Sequence, residues 1–146
     1  MPFYNKNVST KEDYQFGFKN EKQLKNKIEE ILKCSLEETS RYNSFDFINT
    51  LLKIFVELKS RRISKEQYST TFINYQKIEK INQLGLRKGL DSNNNYYFFF
   101  NYTNGLYYIK YDKQLFDTFQ KKDTFLQKRR CMLKNLLIPT DTLIKC

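Results

Sequence analysis

The sequence feature that most constrains the fold is a β-hairpin predicted at residues 96–111. Residues 96–102 form an aromatic run typical of a strand, and residues 106–111 form a second such run. Asn104-Gly105 stands between them and is a dipeptide that favours a tight hairpin turn. These aromatic side chains could stack on nucleic-acid bases. We expect them instead to form the core and the edge of a sheet, where aromatic strand residues usually lie.

A second hairpin is predicted at residues 45–59. Its turn is Asn49-Thr50, and its second strand is rich in β-branched and aromatic residues. Side chains alternate between the two faces of a strand, so Glu57 and Lys59 are expected on the same face.

Helices are predicted before and after this second hairpin, where apolar residues recur at helical spacing. The predicted helices are residues 21–34, capped by Asn20, and residues 72–84, closed by Gly85 and Gly89. Residues 1–19 are expected to form an irregular arm. After the second helix and the aromatic hairpin, a short helix is predicted near residues 113–119 and a short strand at residues 136–138.

The predicted order of elements is helix, hairpin, helix, hairpin, helix, strand. This order favours an α/β fold in which a mixed central β-sheet of about four or five strands is flanked by α-helices. A chain of 146 residues has the size of one domain. We therefore expect a single domain over residues 1–146, with residues 112–146 as a C-terminal extension.

The composition excludes several classes of site. The chain has no histidine, and its three cysteines are scattered, which excludes a Cys/His zinc site and histidine-based catalysis. An odd number of cysteines fits reduced thiols inside a cell. The N-terminus has no apolar signal core, and charged residues interrupt the best apolar run. We expect an intracellular protein without a membrane partner, in the cytoplasm or nucleus of the cell or host.

The net charge of +10 points to a polyanionic partner, of which nucleic acid is the commonest. The excess of Lys, Asn, Ile, Tyr and Phe is also what an AT-rich coding sequence produces. The genome of a phage or a large virus would fit that composition. The charge alone therefore does not decide the function.

The best candidate site combines Asp46 with Glu57-Leu58-Lys59. Antiparallel strands of one hairpin can bring the two carboxylates close together. Two carboxylates and a backbone carbonyl form a hard oxygen site that suits Mg²⁺, with Mn²⁺ as a substitute. Such a metal polarises a phosphate and activates a bound water, and Lys59 can orient that water.

Asp46, ten intervening residues and then Glu57-Leu58-Lys59 resemble the signature of the PD-(D/E)XK nucleases, the restriction endonuclease-like superfamily. The resemblance covers roughly residues 16–111. It implies a metal-dependent endonuclease that acts on DNA rather than RNA and uses no small-molecule cofactor. A homodimer is a reasonable expectation from the same resemblance. Metal ligation is implied for Asp46, Glu57 and the Leu58 carbonyl, with Glu21 of the first helix in the outer shell.

Further residues have candidate roles, each with an alternative. Gln76 or Lys77 of the helix after the motif corresponds to a Gln or Lys that the superfamily often directs at its active site. Glu21 lies three residues before Leu24 and seven before Ile28, so it is expected on the inward face of the first helix, but it could instead complement a helix dipole. Arg61 and Arg62 follow the motif and could contact phosphates, or lie in a solvated loop.

Two other functions stay open at the level of sequence. The same fold could hold nucleic acid or assemble with other proteins without cutting, since the basic charge fits both. Alternatively, the motif could be fortuitous, with Asp46, Glu57 and Lys59 as ordinary exposed strand charges. The basic run Lys128-Arg129-Arg130 is expected to be a solvated helix face.

Overall fold

Helix α1 covers Thr10–Leu32 and belongs to the first of two units into which the chain divides, residues 1–36 and residues 37–146. The structure, a computed structural model, describes residues 10–40, 44–87 and 94–146. Leu24 and Ile28 are buried on α1, as the predicted apolar stripe requires.

The start of α1 differs from the prediction. The helix begins at Thr10, so Asn20 lies inside it and the irregular arm predicted at residues 1–19 is wrong from Thr10 onward. Acidic residues in the first turn favour a helix start there. Gly17 does not end the helix, because one interior glycine costs only about 1 kcal/mol. Residues 1–9 lie outside the described residues.

The second unit contains the strands and two further helices. The strands in chain order are β1 (Glu37–Glu38), β2 (Phe47–Asn49), β3 (Ile54–Ser60), β4 (Thr70–Asn74), β5 (Asn95–Tyr102), β6 (Gly105–Lys110), β7 (Lys121–Leu126), β8 (Cys131–Pro139) and β9 (Ile144–Lys145). The helices are α2 (Tyr75–Arg87) and α3 (Lys113–Asp117).

The central sheet has the strand order β1-β2-β3-β5-β6-β9. Strands β3 and β5 pair in parallel, and the other neighbours pair antiparallel. This mixed sheet with accompanying helices confirms the predicted α/β class. It has 6 strands rather than four or five, because the short end strands β1 and β9 carry no strong sequence signal.

A separate sheet of 3 strands, in the order β4-β8-β7, was not predicted. Strand β4 occupies residues that were expected to begin the second helix. Helix α2 starts only at Tyr75, after Asn74 Oδ1 accepts a hydrogen bond of 2.9 Å from the Gln76 N–H. Thr70, Thr71 and Ile73 are β-branched and pair with β8, which explains why this segment is a strand. Gly85 lies within α2, and Gly89 falls outside the described residues.

The C-terminal predictions are confirmed in part. The β5-β6 hairpin forms, but Tyr102 pairs with Gly105, so the turn is Thr103-Asn104, one residue earlier than predicted. Gly105 has a φ of 148° there, a value that favours glycine. The predicted short strand is the end of the longer β8, and the basic run 128–130 lies in the turn between β7 and β8 instead of on a helix.

The core of the second unit lies on one face of the central sheet. It is formed by residues of β5, α2, β8 and α3, chiefly Phe98, Phe100, Ile78, Ile81, Leu136, Ile138 and Phe116. The aromatic hairpin is thus core, as expected. In the parallel register, Glu57 is the partner of Phe98 and Lys59 is the partner of Phe100. Both charged side chains therefore point to the face that α2 covers.

Candidate active site

Asp46 is held by backbone contacts immediately before β2. Val56 is the register partner of Phe47, yet the Val56 carbonyl also accepts a hydrogen bond of 2.9 Å from the Asp46 N–H. Two consecutive residues thus face one residue of β3, which is the arrangement of a β-bulge. Such a bulge redirects a side chain. Here Asp46 Oδ2 accepts a hydrogen bond of 2.8 Å from the Leu58 N–H on β3.

The loop before β2 also fixes Asp46. The Thr39 N–H donates to the Asp46 carbonyl at 3.1 Å. The Thr39 hydroxyl donates to the carbonyl of Phe45. Phe45 itself is buried in the core of the second unit. The aspartate therefore follows a well-anchored segment, so the position of its carboxylate is set before any ligand binds.

Glu57 is a buried carboxylate between two lysines. Its exposed fraction is 5%. Lys77 Nζ on α2 lies 2.8 Å from Glu57 Oε2, and Lys59 Nζ on β3 lies 3.3 Å from Oε1. The two ammonium groups differ in exposure, with 22% for the Lys77 side chain and 41% for the Lys59 side chain. Lys77 is thus enclosed, whereas Lys59 reaches solvent.

The electrostatics of the pair favour a cation. Burial raises the pKa of Asp46, and the neighbouring Glu57 carboxylate raises it further. The Leu58 N–H, Lys77 and Lys59 act in the opposite direction but do not cancel these effects. A raised carboxylate pKa means that the ionised form is disfavoured in this half-buried environment beside Glu57. A divalent cation between Asp46 and Glu57 would relieve that cost.

One oxygen of the site is suited to metal ligation. Glu57 Oε2 is buried and already pairs with Lys77 Nζ at 2.8 Å, so a metal there would share this oxygen with the ammonium group. Buried carboxylate oxygens normally accept hydrogen bonds or bind metals. Two carboxylates are enough for Mg²⁺, which usually keeps several waters. No cluster of three or more His, Cys, Asp or Glu side chains is present in the described ranges.

The helix α2 supplies one of the two candidates predicted on it. Lys77 contacts Glu57 and lies 5.1 Å from the centroid of the Phe45 ring. Gln76 is exposed, and its N–H is used at the helix start. The buried Ile78 and Ile81 set which face of α2 packs on the core, and Lys77 rather than Gln76 reaches Glu57 of β3.

Glu21 is placed differently from the prediction. It lies on α1 in the first unit and its side chain is exposed, although it shares a helix face with the buried Ile28. The prediction that Glu21 faces inward is therefore wrong, because its side chain is exposed although Leu24 and Ile28 on the same helix are buried. A role for Glu21 in an outer metal shell stays a prediction.

The two arginines after the motif have different surroundings. Arg61 is half-buried, and its Nη2 donates to the Phe72 carbonyl at 2.8 Å. Its guanidinium carbon lies 4.8 Å from the centroid of the Phe72 ring. Burial lowers the pKa of the Arg61 guanidinium, but an arginine keeps its charge at neutral pH. Arg62 is exposed. Phosphate contacts by either residue stay a prediction.

Sequence reasoning missed the residues that support the site. Thr39 has no signal in the sequence, since its role depends on a contact with the Phe45 carbonyl, six residues further along the chain. Phe45 could have been found, because it is the large apolar residue directly before Asp46. The structure thus brings Asp46, Glu57, Lys59 and Lys77 together.

Comparison with known proteins agrees with this arrangement. A family model described as "Phage putative PDDEXK endonuclease" matches residues 9–123, which include all four of these site residues. The match confirms the predicted PD-(D/E)XK resemblance, supports nuclease activity and a nucleic-acid substrate, and agrees with the phage-like composition. No curated protein and no solved structure matches the chain. Within the described residues, no helix is long and apolar enough to cross a membrane.

Proposed function

The chain belongs to the phage PDDEXK endonuclease family, and from this we propose that it is a divalent-metal-dependent endonuclease that hydrolyses phosphodiester bonds in DNA. The observation that carries the proposal is the coupled pair of Asp46 and Glu57. Burial and the neighbouring Glu57 raise the pKa of Asp46, and the Glu57 carboxylate itself is only 5% exposed. The preference for DNA over RNA comes from the superfamily resemblance alone.

The residues present fit a hard divalent cation such as Mg²⁺ or Mn²⁺. Asp46 and Glu57 would hold it, with the Leu58 carbonyl as a third protein ligand. Bound there, it would polarise the scissile phosphate and lower the pKa of a water. The Leu58 N–H orients the Asp46 carboxylate for this task through its hydrogen bond of 2.8 Å.

The two lysines have separate roles in this proposal. Lys77 is the more enclosed and closer partner of Glu57, so it holds that carboxylate in place. Lys59 is more exposed and makes the longer contact of 3.3 Å. It can turn toward the substrate, where its ammonium group would position the attacking water or neutralise charge on the phosphate.

A non-cleaving nucleic-acid-binding or assembly module is the second candidate. It is favoured by one observation, namely that Lys59 and Lys77 already balance the charge of Glu57. Such a closed set of ion pairs could serve folding alone. Binding of Mg²⁺ or Mn²⁺ at Asp46 separates the two candidates, because a purely structural set does not need a metal.

The test is a nicking assay on supercoiled DNA with Mg²⁺ or Mn²⁺. We expect Asp46→Asn and Lys59→Met each to reduce the nicking rate by at least about a hundredfold, which is the usual loss when one group that stabilises charge in the transition state is removed. The matched control is Asp117→Asn, which removes a carboxylate from an exposed ion pair with Lys113. It should cut like the wild type.

Calorimetry with Mn²⁺ accompanies the assay. We expect wild type and Lys59→Met to bind the metal and Asp46→Asn to lose that binding. If the wild type binds DNA but neither cuts it nor takes up the metal, the binding module replaces the nuclease. Equal cutting by Asp46→Asn and the wild type would move the active site elsewhere in the chain.

A further inference from the structure

A pocket of about 530 Å³ opens on one face of the sheet formed by β4, β8 and β7. Register places Phe72 opposite Leu137, and Leu133 opposite Thr124, on this face. The opposite face carries the buried residues Leu136 and Ile138, which pack in the core. The pocket therefore lies on the side of this sheet that turns away from the core.

The pocket combines flat aromatic surface with positive charge. Tyr68 is 59% exposed and Phe72 is 50% exposed. Arg61, Lys65 and Lys122 line the same pocket. All lining residues belong to the described part of the chain, and none of them carries a carboxylate.

Polar groups in the pocket can recognise the edge of a ring. Asn135 lines it and offers both donors and an acceptor. Thr70 and Thr124 add hydroxyl groups that donate and accept. A ligand that matches this lining is a planar heterocycle attached to an anion, which describes a nucleotide. The net charge of +10 favours a polyanionic ligand over a neutral or positively charged one.

The pocket is close to the candidate active site. Arg61 follows Lys59 by two residues, and the Arg61 N–H still donates to the Asn101 carbonyl at 2.8 Å, which extends the pairing of β3 with β5. Two residues along a strand span roughly 7 Å. Glu57, Lys59 and Arg61 therefore form one row that leads from the carboxylates to the pocket.

We propose that this pocket binds an unpaired nucleobase of the substrate next to the scissile phosphate. The base would lie against Phe72 and Tyr68, and Arg61, Lys65 and Lys122 would neutralise the adjoining phosphates. The inference rests on the proposed nuclease function and narrows its substrate to nucleic acid with an accessible unpaired nucleotide, such as a single strand, gap or flap. A base inside a duplex is stacked and reaches such a pocket only when it is flipped out.

The test measures binding without cleavage. Fluorescence anisotropy in EDTA compares a labelled oligothymidylate with a duplex that contains the same strand. For Phe72→Leu we expect about tenfold weaker binding of the single strand, because stacking on an aromatic residue is lost. Duplex binding should change less than about twofold, since the cations that contact phosphates remain.

The control is Phe125→Leu. Phe125 is 55% exposed on the same sheet, but its register partner is Met132, which places it on the opposite face. This variant should bind the single strand like the wild type. Circular dichroism establishes that both variants fold.

A second variant covers the case in which Phe72→Leu does not fold. Lys122→Gln changes an exposed side chain, and we expect it to lower the salt dependence of single-strand binding by about 0.7 in log–log slope. An unchanged slope, or equal losses for Phe72→Leu and Phe125→Leu, would overturn the proposal. So would a wild-type dimer that dissociates on Phe72→Leu, because a second copy would then cover the pocket.

These outcomes are independent of the metal site. If Asp46→Asn cuts normally while Phe72→Leu loses single-strand binding, the proposed active site fails and the base pocket stands. If cutting depends on Asp46 but single-strand binding does not depend on Phe72, the nuclease stands and the pocket proposal fails.

Discussion

Replacing Lys77 with Met tests whether the buried carboxylate of the site depends on a helix lysine. The substitution keeps the length of the side chain and its packing near Phe45 but removes the charge that lies 2.8 Å from Glu57 Oε2. Glu57 is 5% exposed, so water can compensate little for the loss. We expect Lys77→Met to be destabilised in the absence of metal.

The magnitude follows from the burial of both partners. Removing one partner of a fully buried ion pair costs about 3–5 kcal/mol. Two features of this site lower that value. The Lys77 side chain is 22% exposed, and Lys59 still neutralises Glu57 from 3.3 Å. We therefore expect the free energy of unfolding to fall by about 2 kcal/mol, roughly half of the fully buried case.

Urea unfolding of wild type, Lys77→Met and Lys113→Met measures this effect. Lys113 pairs with Asp117 at 2.9 Å, almost the same distance, but its side chain is 68% exposed and that of Asp117 is 61% exposed. Its loss should cost only about 0.3–0.5 kcal/mol. Equal, small losses in both variants would refute the reasoning, because Glu57 would then not need Lys77. Added Mg²⁺ should restore Lys77→Met more than it stabilises the wild type.

Two further predictions concern Asp46 and Gly105. The pKa of Asp46 is raised in the folded state, so the folded protein holds the proton more tightly and Asp46 makes stability fall as pH rises above about pH 4. In urea unfolding at a series of pH values, the free energy of unfolding of Asp46→Asn should fall less steeply above about pH 4 than that of the wild type. A wild type that instead becomes more stable than Asp46→Asn as the pH rises would contradict the prediction. Gly105→Ala should cost about 1 kcal/mol or more, because alanine resists a φ of 148°; thermal unfolding at the level of wild type would contradict this.

The parts of the fold that were predicted correctly are encoded by short stretches of sequence. The β5-β6 hairpin and the β2-β3 hairpin each join strands that are neighbours in the chain, so the alternation of strand residues is enough to identify them. The turns were placed less well, because Asn49 of the predicted Asn49-Thr50 turn pairs with Ile54, and the turn is formed by residues 50–53. Asp46 and Glu57 lie on one such hairpin. Their proximity therefore follows from local pattern, and this is why the central part of the site could be found without a structure.

The parts that were missed depend on contacts between distant residues. Strand β4 pairs with a strand that is distant in the sequence, because Thr70 is the register partner of Pro139. The segment from Thr70 to Asn74 has apolar residues that fit both a helix and a strand, and only pairing with β8 decides between them. That decision also moves the start of α2 to Tyr75, where the Gln76 N–H bonds to Asn74 and Lys77 lies beside Glu57.

The unequal positions of the two lysines have a consequence for how the site would accept a cation. If Glu57 held a divalent ion, both ammonium groups would be repelled, and the lysine with the weaker contact would move away. Lys59 has the longer contact, 3.3 Å against 2.8 Å, and the greater exposure. It can leave Glu57 for solvent or phosphate at little cost, whereas Lys77 is confined beside the Phe45 ring. Lys59, the more exposed of the two, also lies on the row that leads to Arg61 and the pocket, so the charge displaced by a metal would move toward the phosphate of the substrate.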